Sequence, residues 1–331
     1  MTGLTEPGSA SPAAASGTLL QVQNLCVRYA ASRGVTTAVR DVSFEIGRGE
    51  VFGLVGESGS GKSSVCAALM RLMPPAGSVR ADRIEFEGRE LSRLSERAMR
   101  SVRGRQIALV PQKPMTSLSP TTPIGRQLKW YLGDALESEQ MQDMLVSIGL
   151  RAVLDRPRDL PSRFSGGQLQ RLLIAIAALT YRPSLLLADE PTTTLDATVQ
   201  AQVLRLLLAV RERVGSAILY VSHDLAVIAQ VSDRVGVMYG GRLVEVAPVA
   251  EIFNAPRHPY TRALIAAMPS TWTQGERLQA IRGSASGANR LTGCPFAPRC
   301  ELADARCHEQ MPDAVTVGTS MVRCHKAGAA A

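Results

Sequence analysis

Aromatic side chains are scarce, 4% of the 331 residues, so a core must rest on Leu, Val, Ile and Ala. Long apolar runs are missing as well. The longest, "LLIAIAAL" from Leu172, falls far short of the ~18 residues a bilayer span needs. The net charge of +8 comes without a dense basic run, and arginines spread along the whole chain read as a solvated surface, not as a nucleic-acid footprint. The first seventeen residues, "MTGLTEPGSASPAAASG", have neither a basic start nor an apolar stretch. They are expected to be a flexible tail and not a secretion signal. A protein that stays in the cytoplasm keeps its thiols reduced, so a disulfide framework is a poor account of its six cysteines. With 45% hydrophobic and 20% charged residues, the composition is that of a globular chain. The length suits one large α/β domain with an appendage, or two modest domains.

Along the chain, "LLQVQNLCVRY" (Leu19 to Tyr29) alternates apolar and polar residues like a half-buried strand, and "AVRDVSFEIGRGE" reads as a second strand closed by a Gly-rich turn. "VFGLVG", "SLLLADEP" and "SAILYVSHD" are short and nearly all apolar at their centres, as strands buried on both faces are. Helical patterns lie between them, which predicts a parallel-sheet α/β core. Between about Pro114 and Arg163 helical patterns dominate and suggest an inserted helical lobe. After Ala255, "PRHPYTRALIAAMPSTW" reads as a short helix, followed by a Gly/Ser/Ala linker.

"GESGSGKS" (Gly56 to Ser63) fits G-x-x-x-x-G-K-[ST] between a buried strand and a helix. Backbone N–H groups of Gly56, Glu57, Ser58, Gly59, Ser60 and Gly61 can converge on phosphate oxygens at a helix N-terminus, with Ser64 in the first turn behind them. Lys62 would reach the β/γ-phosphates of ATP, and the Ser63 hydroxyl would ligate Mg²⁺. "LLLADE" ends an apolar strand in two adjacent acids. Such a pair is costly without a cation: Asp189 is suited to hold Mg²⁺ and Glu190 to polarise the attacking water.

At "FSGGQLQR" (Phe164 to Arg171) the sequence resembles the signature of ABC-type ATPases, with Phe in place of the commoner Leu. The family's other marks follow in order: Gln112 in "VPQKP" resembles the Q-loop glutamine, "TTTLD" ending at Asp196 the D-loop, and His223 in "VSHD" the switch histidine. An isolated "SHD" is more often a helix cap, but its position after the strand that follows "LADEP" reverses that reading. Tyr29 lies where the family has the aromatic that stacks on adenine, although a strand-end tyrosine is core as often as ligand. The resemblance spans about Leu19 to Ala255 and implies a P-loop ABC ATPase over 18–255, with antiparallel strands at its N-terminal side and a helical lobe at about 114–163. It further implies catalytic roles for Glu190, His223, Gln112 and Lys62, and Mg²⁺ ligation by Ser63, Gln112 and Asp189. Ser165, Gly166, Gly167 and Gln168 would close on the nucleotide of an opposite subunit, so hydrolysis would need a head-to-tail dimer.

With no membrane span, transport would need two separate permease subunits, gripped in the family through the lobe and the Gln112 loop, and an extracytoplasmic solute-binding protein. The ~50-residue interval excludes DNA-repair types with inserted coiled coils, and a single ATPase domain excludes translation-factor types. "NAPRHPYTRALIAAMP" followed by "GCPFAPRC" is similar to the C-terminal extension, here 256–331, of oligopeptide/dipeptide importer ATPases. "DEPTTTLDATVQAQVL" is similar to the first of their two unequal subunits, so the partner ATPase is expected to be a related second chain, at the cytoplasmic face of the membrane. Nickel, nickel-chelate and sugar importers use related ATPases and stay open as alternatives. Cys294, Cys300, Cys307 and Cys324 give C-x5-C-x6-C-x16-C in a segment too poor in large apolar residues to bury much core, which makes a metal tie plausible. A 4Fe-4S cluster, which the resemblance favours, zinc, and free thiols are the three readings. His308 and His325 are spare ligand candidates; Cys26 and Cys66 read as small core hydrophobes.

Overall fold

The computed structural model describes residues 17–31, 34–193, 195–268 and 280–327. The expected N-terminal tail, Thr194 of the D-loop stretch and much of the expected Gly/Ser/Ala linker lie outside these residues.

Two sheets carry the architecture. In the first, β1 (Thr18–Ala31) pairs antiparallel with β2 (Gly34–Gly47) on one side, and with β4 (Gly77–Arg80) and β5 (Arg83–Phe86) on the other, while β6 (Arg89–Glu90) extends the β5 edge. The alternation in β1 changes phase midway. Leu20 and Val22 are buried, then Leu25 and Val27. Between them Asn24, beside Ser43 of β2, adopts φ 52°, Asp41 of β2 beside Cys26 adopts the same φ, and the register shifts on both sides of Leu25. Short Asn and Asp side chains tolerate that backbone, so the bulge keeps both halves of the strand facing the core.

The second sheet has the order β12-β13-β11-β10-β3-β9-β8-β7. Its centre is parallel: β3 (Val51–Val55), β7 (Ile107–Val110), β8 (Leu185–Asp189), β9 (Ala217–Ser222) and β10 (Arg234–Tyr239). These strands are buried on both faces, which is why their sequences are runs and not alternations. Leu186 and Ala188 of β8 join one apolar cluster, with α6 (Gly166–Leu179), α7 (Ala197–Val214) and α8 (Leu225–Val231). Leu185 and Leu187 join the other, with α1 (Lys62–Leu69) and the small sheet. The C-terminal ends of β3, β8 and β9 thereby open at a common edge, where ligand sites of such sheets lie.

From 124 to 155 the chain forms α3 (Ile124–Leu132), α4 (Glu139–Ser147) and α5 (Arg151–Asp155), packed with the start of α6 in a cluster of their own around Leu128, Leu145 and Leu172. Ahead of them, α2 (Glu96–Val102) starts at a Ser95 cap. Buried Gln127 ties this unit to the preceding loop, donating to the Ser119 and Thr122 carbonyls at 3.0 and 2.8 Å.

Beyond β11 (Arg242–Pro248) come α9 (Val249–Asn254), α10 (Pro259–Ala266), α11 (Ala305–Glu309), β12 (Val315–Val317) and β13 (Ser320–Val322). β13 pairs with β11, so the cysteine-bearing segment continues the main sheet, and Ser320 donates 2.7 Å to Glu251 of α9. Fully buried Glu245 accepts the Arg257 and His258 N–H groups at 2.8 and 2.9 Å. Burial pushes His258 down to about 3; the neutral ring can then accept the Tyr260 N–H at 3.0 Å and cap α10. Among the described residues no helix is long and apolar enough to cross a membrane.

Candidate functional site

The loop between β3 and α1 needs glycine at two positions. A Cβ on Gly56 would lie 2.2 Å from the Met238 carbonyl oxygen, and one on Gly61, at φ 103°, would lie 2.3 Å from that of Ala38. Inside the loop, buried Lys62 folds back so that Nζ donates to the carbonyls of Gly56 (2.8 Å) and Glu57 (3.1 Å), with Ser60 Oγ at 3.5 Å. Burial pushes the ammonium below its usual range, against the opposing pull of Glu190 and Asp189. Ser63 Oγ donates to Asp189 Oδ1 at 2.9 Å, joining the first turn of α1 to the tip of β8. Burial raises the Asp189 carboxyl. A hydroxyl and a carboxylate side by side at a helix start form an all-oxygen donor set of the kind Mg²⁺ takes.

Glu190 gathers four side chains from separate segments. Its Oε2 accepts from Gln112 Nε2 (3.2 Å) and Thr193 Oγ1 (2.7 Å) and faces His223 Nδ1 at 3.2 Å, while Oε1 lies 3.8 Å from Lys62 Nζ. Burial raises this carboxyl, but Thr193, Lys62 and His223 outweigh it and hold it below its ordinary value. The residue has φ 47°, a left-handed backbone that costs a non-glycine residue about 1–2 kcal/mol. Such strain concentrates at functional positions. Thr193 is a member that sequence reasoning missed, since a Thr three residues past an acid is commonplace.

The remaining candidates are distributed differently. Ser58 and Gly59 are exposed on the outer turn of the loop. Half-buried Tyr29 donates its hydroxyl to Ser64 Oγ at 3.0 Å, beside the first turn of α1. Ser165 caps α6, accepting from Gln168 N–H at 3.2 Å, and Gln168 Oε1 accepts the Ser165 N–H at 2.9 Å. Ser165 and Gln168 therefore make a capping box at an exposed helix start, with exposed Gly166 and buried Gly167 in the first turn. Asp196 caps α7 through Val199 N–H at 3.0 Å. Neither cap is hydrogen-bonded to the phosphate loop among the described residues.

The four tail cysteines line one cavity of about 10 Å³, with Cys294 and Cys307 buried and the other two half-buried. Burial pushes Cys294 up to about 11 and raises Cys300 and Cys324. All are free thiols, and among the described residues no three His, Cys, Asp or Glu side chains form a group spaced to hold a metal ion. His325 Nε2 lies 2.9 Å from the Gln310 carbonyl oxygen, and His308 is exposed. Cys66 is buried as expected. Cys26 is only half-buried, and its sulfur accepts the Asp41 N–H at 3.4 Å. Two further residues touch the phosphate loop from the C-terminal segment, Tyr260 and Arg299.

Comparison with known proteins agrees with this geometry. Residues 39–193 match the ABC transporter family model, and residues 244–307 match that of the oligopeptide/dipeptide transporter C-terminal region. The chain is 43% identical over 303 residues to a probable peptide ABC transporter ATP-binding protein of Sinorhizobium fredii, y4tR, covering 89% of this chain and 90% of the relative. It is 40% identical over 301 residues to the dipeptide transport ATP-binding protein DppD of Escherichia coli, covering 89% and 92%. A solved dimeric bacterial ABC transporter cassette, MJ0796, superposes with a TM-score of 0.55 at 26% identity, over 70% of this chain and 98% of that one. The chain therefore belongs to the ABC transporter family of ATP-binding proteins and carries the C-terminal region of oligopeptide/dipeptide transporters.

Proposed function

We propose that this protein is the ATP-hydrolysing subunit of an importer of di- and oligopeptides, acting at the cytoplasmic face of a membrane on two permease subunits fed by a solute-binding protein. The observation that carries it is the Glu190 carboxylate, held ionised and oriented by Gln112, Thr193, His223 and Lys62. Peptides are what the names of its relatives specify. ATP and water give ADP and phosphate. Lys62 would exchange its bonds to the Gly56 and Glu57 carbonyls for phosphate oxygens. Ser63 and Asp189, with Gln112 nearby, would hold Mg²⁺, which offsets charge on the β- and γ-oxygens. Glu190 would orient the attacking water and accept its proton, and His223 would hold the γ-phosphate.

The exposed start of α6, Ser165 to Gln168, and Asp196 would serve the nucleotide of a partner ATPase, a second related chain. Tyr29 would stack on adenine. In this reading 18–255 is the ATPase, 114–163 the lobe that drives the permease, and 256–331 the extension. A strain lacking the gene should lose uptake of labelled di- to pentapeptides and recover it with the wild-type gene. Loss of nickel uptake with peptide uptake intact would overturn the substrate while leaving the ATPase.

For the tail, the reading is a 4Fe-4S cluster on Cys294, Cys300, Cys307 and Cys324 with a structural or regulatory role. What supports it is the donor set: four cysteines are what such clusters take, and all four come together in the C-terminal segment, around a cavity of about 10 Å³ that would have to widen to admit a cluster. Anaerobically purified protein is expected to be brown, with iron and acid-labile sulfide lost in Cys300→Ser. Colourless protein with stoichiometric zinc would rule the cluster out.

A further inference from the structure

A carboxylate in a loop suited to bind a polyanion calls for a countercharge, and Glu57 has one. All of its polar groups are engaged. Its N–H donates to Tyr260 Oη at 3.1 Å, its carbonyl accepts from Lys62 Nζ at 3.1 Å, and its carboxylate accepts from Arg299 Nη1 at 2.8 and 3.1 Å. Two of these three partners come from the C-terminal segment, over 200 residues away.

Arg299 is built to stay in place. Its side chain is 6% exposed. Nε donates to the Arg282 carbonyl at 2.7 Å, Nη2 to that of Ile281 at 3.3 Å, and Nη1 also reaches Tyr239 Oη at 3.0 Å. The guanidinium lies over the rings of Tyr239 and Phe296, and Tyr239 packs on Tyr260 with centroids 4.5 Å apart. A fixed planar cation of this kind holds a carboxylate in one orientation.

We infer that Arg299 is a positioning residue for ATP binding: it cancels the charge of Glu57 and, with Tyr260, fixes the loop carbonyl that Lys62 holds before phosphate arrives. The inference rests on the nucleotide reading above. Without Arg299, an unpaired carboxylate, 28% exposed, would remain in the loop that is to take the phosphates, and part of its repulsion would act through protein, where it is screened less than in water. The C-terminal segment is then part of the nucleotide site and not only an attachment to it.

The test is a double-mutant cycle read by calorimetric titration of the full-length chain with MgATP. Arg299→Gln is expected to weaken binding about tenfold, ~1.4 kcal/mol, when Glu57 is present. In the Glu57→Gln background the same change should cost less than about threefold, because the charge it cancels is gone. Equal losses in both backgrounds would make Arg299 a merely structural residue and overturn the inference, as would unchanged affinity in Arg299→Gln. Should Arg299→Gln not fold, Arg299→Lys takes its place in the same cycle: its loss should again be larger with Glu57 present than in the Glu57→Gln background, and equal losses overturn the inference. Failure of the wild-type chain to bind MgATP would remove the nucleotide reading and this inference together.

Discussion

Glu190→Gln is expected to bind MgATP near the wild-type level while its turnover, with the partner ATPase present, falls by about 10²–10⁴, the usual contribution of a positioned base. That is ~3–5 kcal/mol of barrier at 1.36 kcal/mol per tenfold. Glutamine has nearly the shape of glutamate, so the Gln112 and Thr193 donors, at 3.2 and 2.7 Å, keep an acceptor. The φ of 47° is no harder for it to adopt. What disappears is the negative charge, the strongest influence opposing the burial-lowered pKa of Lys62. An amide can orient a water but cannot take its proton. Single-turnover hydrolysis beside nucleotide titration separates the two effects. Near-normal hydrolysis would remove Glu190 from the chemistry, and a large loss of ATP affinity would show that its charge serves binding.

The motifs were legible in the sequence where geometry admits few residue types. Gly56 and Gly61 approach backbone carbonyls too closely for a Cβ, and buried parallel strands leave apolar runs that no surface segment shares. Much else left no local trace. The phase change in β1 depends on Asn24 taking φ 52°, and nothing in "QNLC" distinguishes that asparagine from a loop residue. Thr193 joins Glu190 only because the chain turns directly after β8. Gln168, a member of the signature, spends its side chain on the N-cap of its own helix. The strands β12 and β13 have three residues each, too few for any period to emerge, and they exist because β11 offers an edge. Arg299 is one of 37 Lys and Arg residues. Its partnership with Glu57 is made by tertiary structure across 242 positions, and no spacing rule reaches that far.

Lys62→Ala separates binding from folding. Its expected result is a loss of MgATP affinity of about 10²-fold or more, within the 2–5 kcal/mol range for truncating one partner of a desolvated charge pair. Nucleotide-free stability should move far less. Removing the side chain leaves the Gly56 and Glu57 carbonyls without their 2.8 and 3.1 Å donor, and it takes a cation away from Glu190 and Asp189. Both effects destabilise. Against them stands the burial that lowers the ammonium's pKa: the folded chain holds a desolvated charge, and deleting it returns that cost. The opposing terms should leave a net change of about 1 kcal/mol, or ~2–4 °C in Tm for a unit of 150–250 residues. Melting without nucleotide beside an MgATP titration measures both quantities. Collapse of the nucleotide-free Tm with retained affinity would make Lys62 a brace for the loop. Lost affinity with an intact melt would mean that its bonds to Gly56 and Glu57 are provisional, made by a cation stored at a cost until phosphate replaces the carbonyls.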